Sequence, residues 1–501
     1  MSTDAFRYES VRQNVLEMIE SGTLKPGDKA PSLRRLAARM RVSLSTVALA
    51  YGQLESEGVM EARPKSGFFV RVRREALPPP GIKPCPGEAP APLNRAAIIR
   101  TVLANMSRRD MLPLGVARTD ENLLPLAQLS RMMAQVLRDE GDRVGFYGPV
   151  EGFEPLRRQI ALLAMEAGMD CTASDTLVTS GAMEALHIAL RCVTRAGDTV
   201  VIASPTYYCF LQLLENLGLR VIEIPSRPGE GVRPSELAQV LERFRVDACV
   251  LTPNFNNPDG ALTPDDSKAE IVSILARRGI PLIEDDVYGD LHHAPVRPRC
   301  CKAFDREGLV LTCSSFSKTI APGYRVGWLL PGRFMETAQE LKATMSVATA
   351  TPTQMAMARY LASGAYHRHL KRLRPAVKSM MENMHALVGR HFPPGTRATR
   401  PEGGSVIWVE LPGKADGTEF MQQALARGVS VAPGAIFSSQ GCFRSFVRLS
   451  CCVPPGPELT GAVTTLGAIA SDLLAKGHGD RIPEPWNGDP IEMSECCPKE
   501  S

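Results

Sequence analysis

The segment SSFSKTIAPGYRVGW, residues 314–328, places Lys318 between two hydroxyl side chains and seven residues before an arginine. A lone lysine is usually a solvated surface charge, and an amine becomes a nucleophile near neutral pH only when its pKa is lowered. Here Ser315, Ser317 and Arg325 could hold a phosphate ester beside the amine. Pyridoxal 5′-phosphate carries both an aldehyde and a phosphate and binds lysine as a Schiff base, so the segment predicts a site for this cofactor.

Helical patterns alternate with short β-branched runs on both sides of this segment. DTLVTSG (175–181) precedes the helical pattern AMEALHIALRCV (182–193), and DTVVIASP (198–205) precedes TYYCFLQLLENLG (206–218). Strands that alternate with helices over about 200 residues predict a mostly parallel α/β sheet covered on both faces. In such sheets ligands bind at the carboxyl ends of the strands.

Polar residues after these strands match the other needs of the cofactor ring. The ring nitrogen needs a buried carboxylate, and LIEDDVY offers Asp285 and Asp286, of which only one can face the ring because consecutive strand residues point to opposite faces. Tyr288 and Asn257 could donate to the phenolic oxygen. Tyr207 could pack against the ring face.

The phosphate and the substrate carboxylate add two further requirements. Free backbone N–H groups at a helix start bind phosphate, and Gly181, Ala182 and Met183 follow a strand at such a start. A carboxylate needs an arginine, which Arg448 in FVRLS could supply. Each motif alone has an ordinary explanation, such as a turn for NNPDG. Their arrival together in chain order favours the cofactor site.

The N-terminal part of the chain has a different character. Residues 1–74 carry thirteen Lys or Arg against eight Asp or Glu, whereas the whole 501-residue chain has a net charge of +4. A basic N-terminal segment of this kind indicates a polyanionic partner. Helical patterns capped by Ser32 and Ser43 and a short hairpin pattern follow one another, which is typical of a helix laid in the DNA major groove. A small protein-interaction module is the alternative.

The segment from Lys25 to Val70, KPGDKAPSLRRLAARMRVSLSTVALAYGQLESEGVMEARPKSGFFV, resembles the winged helix-turn-helix of the GntR family. The resemblance implies DNA contacts by residues of the second and third helices and the wing, namely Ser32, Arg34, Ser45, Thr46, Lys65 and Gly67. Many family members have a basic residue where this chain has Leu44. A leucine can touch a thymine methyl group but cannot make a bidentate contact to guanine.

The remainder, from about residue 110 to 475, is similar to fold-type I aminotransferases of the aspartate aminotransferase superfamily. The shared motifs are YGPVEGFEPLR, TSGAMEAL, SPTYY, NFNNPDG, EDDVYGDL, SFSKTIAPGYRVGW and VRLS. The resemblance implies that Tyr147 reaches the cofactor phosphate of a partner subunit, so that the protein would be a homodimer. It also favours Asp285 over Asp286 as the partner of the ring nitrogen.

A GntR-type winged helix-turn-helix followed by an aminotransferase-like domain resembles the MocR-type subfamily of GntR regulators, which are cytosolic bacterial transcription factors. The resemblance implies a cytoplasmic protein that binds double-stranded DNA and senses pyridoxal phosphate or a small amino acid or amine effector through the aldimine at Lys318. A working aminotransferase with an auxiliary DNA-binding domain and an inert dimer scaffold are the alternatives. The intact cofactor positions argue against the scaffold, but they leave open whether transamination occurs.

The expected organisation has four parts. A winged helix-turn-helix occupies residues 1–75, a Pro-rich linker 76–95, a fold-type I aminotransferase-like domain 96–476 and a disordered tail 477–501. LPLGVARTDENLLP (112–125) lies where related enzymes form a lid over the substrate. Within it, Arg118 is expected to be a surface residue, with a second carboxylate contact as the alternative.

Composition excludes several other classes of protein. No stretch of about 18 uncharged apolar residues is present, so we expect no membrane span. The thirteen cysteines show no metal-ligand spacing, and we expect no metal site and reduced thiols.

Overall fold

The computed structural model describes residues 3–21, 23–24, 27–56, 59–63, 66–70, 77–81 and 111–476. The chain forms two compact units, a head unit, Met1–Ala76, and a body unit, Leu77–Ser501. The predicted wing residue Lys65, residues 82–95 of the predicted linker and the predicted tail lie outside the described residues. Residues 77–81 belong to the body unit, where Ala398 N–H donates to the Pro78 carbonyl.

The head unit is a three-helix domain with a hairpin. Its helices are α1 (Thr3–Glu20), α2 (Leu33–Met40) and α3 (Leu44–Ser56), and its hairpin strands are β1 (Met60–Arg63) and β2 (Gly67–Val70). The predicted caps of α2 and α3 are confirmed, since the N–H groups of Arg35 and Thr46 donate to the Ser32 and Ser43 hydroxyls at 3.3 and 3.0 Å.

One small apolar core holds the head unit together. Val11 and Val15 of α1 pack with Val47, Tyr51 and Leu54 of α3, and all five are fully buried. The exposed sides of α2 and α3 are therefore available to a partner of the head unit.

The body unit contains the α/β fold that the sequence predicts. Its strands β3–β16 span Leu112–Pro113, Leu177–Thr179, Thr199–Ser204, Arg220–Arg227, Gly231–Val232, Ala248–Leu251, Leu282–Asp285, Val310–Ser315, Gly327–Leu330, Arg397–Ala398, Val406–Glu410, Val429–Ser430, Ala432–Pro433 and Phe446–Ser450. Its helices α4–α14 span Leu126–Glu140, Glu154–Glu166, Ala182–Val193, Tyr208–Asn216, Pro234–Arg243, Asp265–Ala276, Met335–Met345, Thr351–Ala362, Ala365–His391, Gly417–Leu425 and Pro457–Lys476.

The central sheet has eight strands in the order β4-β11-β10-β9-β8-β5-β6-β7. The five strands from β10 to β6 run parallel, and β11 is antiparallel to both of its neighbours. Alternate residues of one strand enter different cores: Val200 and Ile202 face one, and Val201 and Ala203 face the other. Both faces are thus covered by helices, and the site can only lie at the ends of the strands.

A smaller antiparallel sheet, β12-β13-β16-β15, and a two-stranded pair, β3 and β14, complete the body unit. Strand β16 carries Arg448, and β3 opens the predicted lid segment. No helix in the described part of the chain is long and apolar enough to cross a membrane. Nine described cysteines are free thiols, as expected, whereas Cys442 is disulfide-bonded, which the sequence did not indicate.

Candidate functional site

Lys318 lies in the turn after β10, at the carboxyl end of the central sheet. Its Nζ donates to the Ala117 carbonyl at 2.7 Å and lies 5.5 Å from the centre of the Tyr288 ring. Burial, together with the positive charge of Arg448, lowers the pKa of Lys318 from 10.5 to about 8. An appreciable fraction of this amine is therefore unprotonated near neutral pH, which is the condition for a nucleophile.

The two consecutive aspartates at the end of β9 have different partners. Asp286 is engaged by two side chains, the guanidinium of Arg297 and the amide of Asn254, whose Nδ2 donates at 2.8 Å. The Asp285 carboxylate accepts a bond from the Val287 N–H at 3.2 Å and is 5% exposed. Burial, with the charge of Asp286, raises the pKa of Asp285 to about 7. Asp285 is thus the carboxylate with free capacity for a cationic ring N–H.

The residues predicted to bind the phosphate lie together at the start of α6. Gly181, with φ of +91°, precedes the helix, and Ala182 and Met183 form its first turn. The Arg325 guanidinium donates to the Ser180 carbonyl at 2.9 Å and lies so close to Gly181 that a Cβ there would collide with it. These backbone N–H groups and the neighbouring arginine form a concave surface, the cradle, that fits a phosphate. A residue larger than glycine at position 181 would fill this space.

Strand pairing brings Ser315, one of the two predicted serines, to this cradle. Ser315 pairs with Gly327 across β10 and β11, and a Cβ on Gly327 would lie 2.7 Å from the Gly181 Cα. Ser315 is buried, and its hydroxyl accepts from the Ser317 N–H at 3.4 Å. Ser315, which pairs beside this cradle, therefore lies three residues before Lys318 in the chain.

The aromatic and amide residues predicted to hold a cofactor ring cluster around Lys318. Burial raises the pKa of both Tyr207 and Tyr288, so both hydroxyls stay protonated and can donate. Asn257 is buried, and its Oδ1 accepts from Arg448 at 3.2 Å, which leaves its amide N–H groups to donate elsewhere.

Arg448 is a fully buried charge in the body unit. Its side chain is 1% exposed, its guanidinium lies over the Phe437 ring at 5.5 Å, and it donates to Asn257 and to the Gly115 carbonyl. Its buried Nε has no hydrogen-bond partner among the described residues. A buried cation without a carboxylate partner is costly, and it fits a carboxylate brought by a ligand.

The predicted lid segment contacts this site through its backbone. The Gly115 carbonyl accepts from Arg448, the Ala117 carbonyl accepts from Lys318, and the Thr119 hydroxyl donates to the Lys318 carbonyl at 2.7 Å. The sequence placed the segment here, but main-chain acceptors leave no residue-type pattern, so these three contacts were not predicted. Arg118 points outward, with 49% of its side chain exposed and Glu121 at 3.9 Å.

Tyr147 lies apart from these residues on the surface of the body unit. It is 86% exposed, and the neighbouring Phe146 is 71% exposed. Both line a surface cavity of about 250 Å³ formed by residues 144–148 and 348–352. Within one chain, therefore, the site gathers the other predicted residues but not Tyr147.

The predicted DNA contacts of the head unit lie on its exposed side. Arg34 and Ser45 are exposed, and Thr46 is half-buried with its hydroxyl 2.7 Å from that of Ser43. Gly67 begins β2 with φ of +95°, a conformation that favours glycine. These residues remain candidates for DNA contact.

Comparison with known proteins confirms both predicted resemblances. Residues 7–70 match the family described as bacterial regulatory proteins, gntR family, and residues 112–466 match aminotransferase class I and II. The HTH-type transcriptional regulators YjiR and YdcR of Escherichia coli are 36% and 33% identical to this chain. The alignments cover 92% and 93% of this chain and 98% and 100% of those regulators.

Solved structures agree with this assignment for the body unit. The α-aminoadipate aminotransferase LysN of Thermus thermophilus, complexed with N-(5′-phosphopyridoxyl)-L-leucine, superposes with a TM-score of 0.71 at 27% identity, over 76% of this chain and 96% of LysN. The kynurenine aminotransferase of Pyrococcus horikoshii gives 0.71 at 26% identity, over 76% and 96%. Both families occur in one chain and in this order, so the protein belongs to the GntR family of HTH-type regulators, in the MocR arrangement that has an aminotransferase class I and II domain as its body.

Proposed function

We propose that this protein is a DNA-binding transcriptional regulator whose body binds pyridoxal phosphate at Lys318 and senses that cofactor or a small amino compound. The observation that carries the proposal is the alignment of both units with HTH-type regulators over 92% of the chain. The partners are double-stranded DNA for the head unit and the cofactor with its effector for the body unit. We place its action with the DNA, in the cytoplasm.

Different residues of the site would bind different parts of the cofactor. When bound, pyridoxal phosphate supplies an electrophilic aldehyde that reacts with amines. Gly181, Ala182 and Arg325 would hold its phosphate, and Asp285 would keep its ring nitrogen protonated. Lys318, with its pKa lowered to about 8, would supply the amine.

Arg448 would select the effector. Its buried guanidinium has an unused Nε and no carboxylate partner in the described part of the chain, which favours a ligand that brings a carboxylate beside its amine. An amino acid satisfies both Arg448 and the site at Lys318. Its binding would favour one arrangement of the body unit and so change the affinity of the head units for DNA.

We also propose that the working unit is a homodimer. The exposed aromatic rings of Phe146 and Tyr147 border the 250 Å³ cavity and suit a second copy of the chain, whose phosphate site Tyr147 would complete. Phe146→Glu should convert a dimer of the 54.4 kDa chain into monomers, because a carboxylate would be buried in the interface. Sedimentation velocity measures this, with Val296→Glu, 78% exposed elsewhere, as the control. A monomeric wild type would contradict the dimer.

Transamination is the second candidate function. It is favoured by the lowered pKa of Lys318 and by the unpartnered Nε of Arg448, both of which an enzyme also needs. Regulation accounts for the head unit as well, so it is the better-supported function.

One experiment separates the two functions. The full-length protein is incubated with pyridoxal phosphate, each of the common amino acids and a 2-oxo acid as the amino-group acceptor. DNA affinity and formation of the keto acid derived from the added amino acid are measured in the same samples. We expect at least one amino acid to change DNA affinity about fivefold or more without stoichiometric keto acid, since allosteric coupling is typically about 1–3 kcal/mol. Continuous keto-acid accumulation with unchanged DNA affinity would support the enzyme instead.

A further inference from the structure

The recognition helix α3 of the head unit presents an uncharged face. Opposite its buried stripe, the residues at positions 45, 48, 49 and 52 lie on one side of the helix, and all four are exposed. They are Ser45, Ala48, Leu49 and Gly52. From Leu44 to Leu54 the helix contains no Lys, Arg, Asp, Glu or His.

Two large apolar side chains project from this part of α3. Leu44 is 50% exposed and Leu49 is 59% exposed. Neither belongs to the apolar core of the head unit, to which α3 contributes Val47, Tyr51 and Leu54. Leu49 lies opposite that stripe, whereas Leu44 is the first residue of the helix and precedes Tyr51 by seven residues. The small residues Ala48 and Gly52 would allow the helix backbone to approach a partner closely.

Positive charge on the same unit is placed on the neighbouring helix. Arg34, Arg35 and Arg39 of α2 and Arg41 after it are all exposed. The acidic residue at the end of α3, Glu55, is engaged with the hairpin, where it accepts from the Ala62 N–H at 3.0 Å. This division suits DNA, because arginines neutralise phosphates while the helix in the groove meets the base edges.

The chemistry of the α3 face narrows what it can recognise in a major groove. Bidentate contacts to guanine need arginine or lysine, and bidentate contacts to adenine need asparagine or glutamine, none of which occupies positions 44, 45, 48, 49 or 52. The thymine methyl group is the apolar feature of the major groove, and aliphatic side chains contact it.

We propose that the head unit selects its operator through thymine methyl groups, which Leu49 contacts from the exposed face of α3 and Leu44 contacts from the start of the helix. This inference rests on the proposed function in one respect, that the head unit binds DNA with α3 in the major groove. Arg34 and its neighbours on α2 then supply affinity that does not depend on sequence, and the leucines supply sequence preference.

Replacing thymine by uracil tests the proposal, because uracil keeps the pairing and hydrogen-bonding groups and lacks only the methyl group. Sites are selected from a random-sequence duplex pool with the full-length protein and pyridoxal phosphate. The enriched site is then prepared with thymine or with deoxyuridine at every thymine position. We expect the uracil duplex to bind about fourfold more weakly for each methyl group contacted.

Two variants distinguish this contact from a general loss of binding. Leu49→Ala should weaken binding to the thymine duplex about fourfold or more and leave binding to the uracil duplex unchanged within about twofold. Arg34→Ala should weaken binding to both duplexes by the same factor and reduce the slope of log affinity against log salt by about 0.9, as expected for one lost phosphate contact. Circular dichroism checks that both variants fold.

Several results would overturn the proposal. Equal affinity of the wild type for the two duplexes would do so, and so would an enriched site without thymine or the absence of any enriched sequence. An equal loss on both duplexes for Leu49→Ala would assign the leucines to a protein interface instead. Failure to bind any DNA would refute the proposed function together with this inference.

Discussion

Lys318→Ala is expected to abolish covalent capture of pyridoxal phosphate. The Lys318 amine donates to the Ala117 carbonyl and lies beside the Tyr288 ring, and its pKa is lowered to about 8 by burial and by the charge of Arg448. The measurement is mass spectrometry after borohydride reduction, with visible absorbance of the unreduced protein. The wild type should gain the mass of one reduced cofactor per chain, whereas the variant should gain none.

The control for this substitution is Lys371→Ala. Lys371 is exposed on helix α12, and its loss should leave both the captured mass and the absorbance unchanged. The thermal unfolding temperatures of the two variants, measured without cofactor, show whether Lys318→Ala has lost only the covalent bond to the cofactor or also its folded structure. Capture by Lys318→Ala at the wild-type level would remove the basis for the cofactor site and for both functions considered for the body unit.

Arg448→Ala is expected to abolish the response to amino acids while covalent capture of the cofactor continues. Removing one partner of a buried charged pair costs about 2–5 kcal/mol, so the effector concentration for half-maximal response should rise about 30-fold or more. Titration of the absorbance change and of DNA affinity with amino acids measures this. Arg448→Lys should restore only part of the response, because a lysine keeps the charge but not the planar fork.

The same substitution has an effect on pH dependence that a merely structural role would not produce. The charge of Arg448 lowers the pKa of Lys318, so its removal should raise that pKa above about 8. Capture requires the unprotonated amine, which predominates above the pKa. The rise of the capture rate with pH should therefore move to higher pH in Arg448→Ala. An unmoved profile would contradict the electrostatic contact between the two residues.

Arg118→Ala is the matched control, since Arg118 is the other arginine that the sequence offered for a carboxylate. Its side chain is 49% exposed and lies near Glu121. We expect less than a twofold change in the effector response, as is usual for surface charges. A loss of effector response as large as that of Arg448→Ala would show that Arg118, in the lid segment, binds the carboxylate.

Much of the site could be predicted from sequence because each strand end leaves a local pattern. The apolar run before Asp285 and Asp286 indicated a buried strand, but alternation alone could not choose between the two carboxylates. The choice depends on Arg297 and Asn254, which engage Asp286 from distant parts of the chain. Tertiary partners of this kind have no fixed spacing in the sequence.

Other features could not be predicted for different physical reasons. The bonds from Arg448 and Lys318 to the carbonyls of Gly115 and Ala117 involve atoms that every residue possesses. In the head unit, helical spacing does predict Val47, Tyr51 and Leu54 as the buried stripe of α3, and all three are fully buried. The exposure of Leu44 and Leu49 was not predicted, because residue type alone does not separate a buried leucine from an exposed one.

Residues 115 and 117 give the body unit an internal competitor for its own ligand. A carboxylate that binds the Arg448 Nη2 N–H now bonded to the Gly115 carbonyl must displace that carbonyl, so effector affinity depends on the strength of this backbone contact. A change of about 1.4 kcal/mol in the free energy of this backbone contact would shift the effector affinity tenfold. Substitutions in the segment can thus tune the concentration at which the protein responds without altering any side chain that touches the effector.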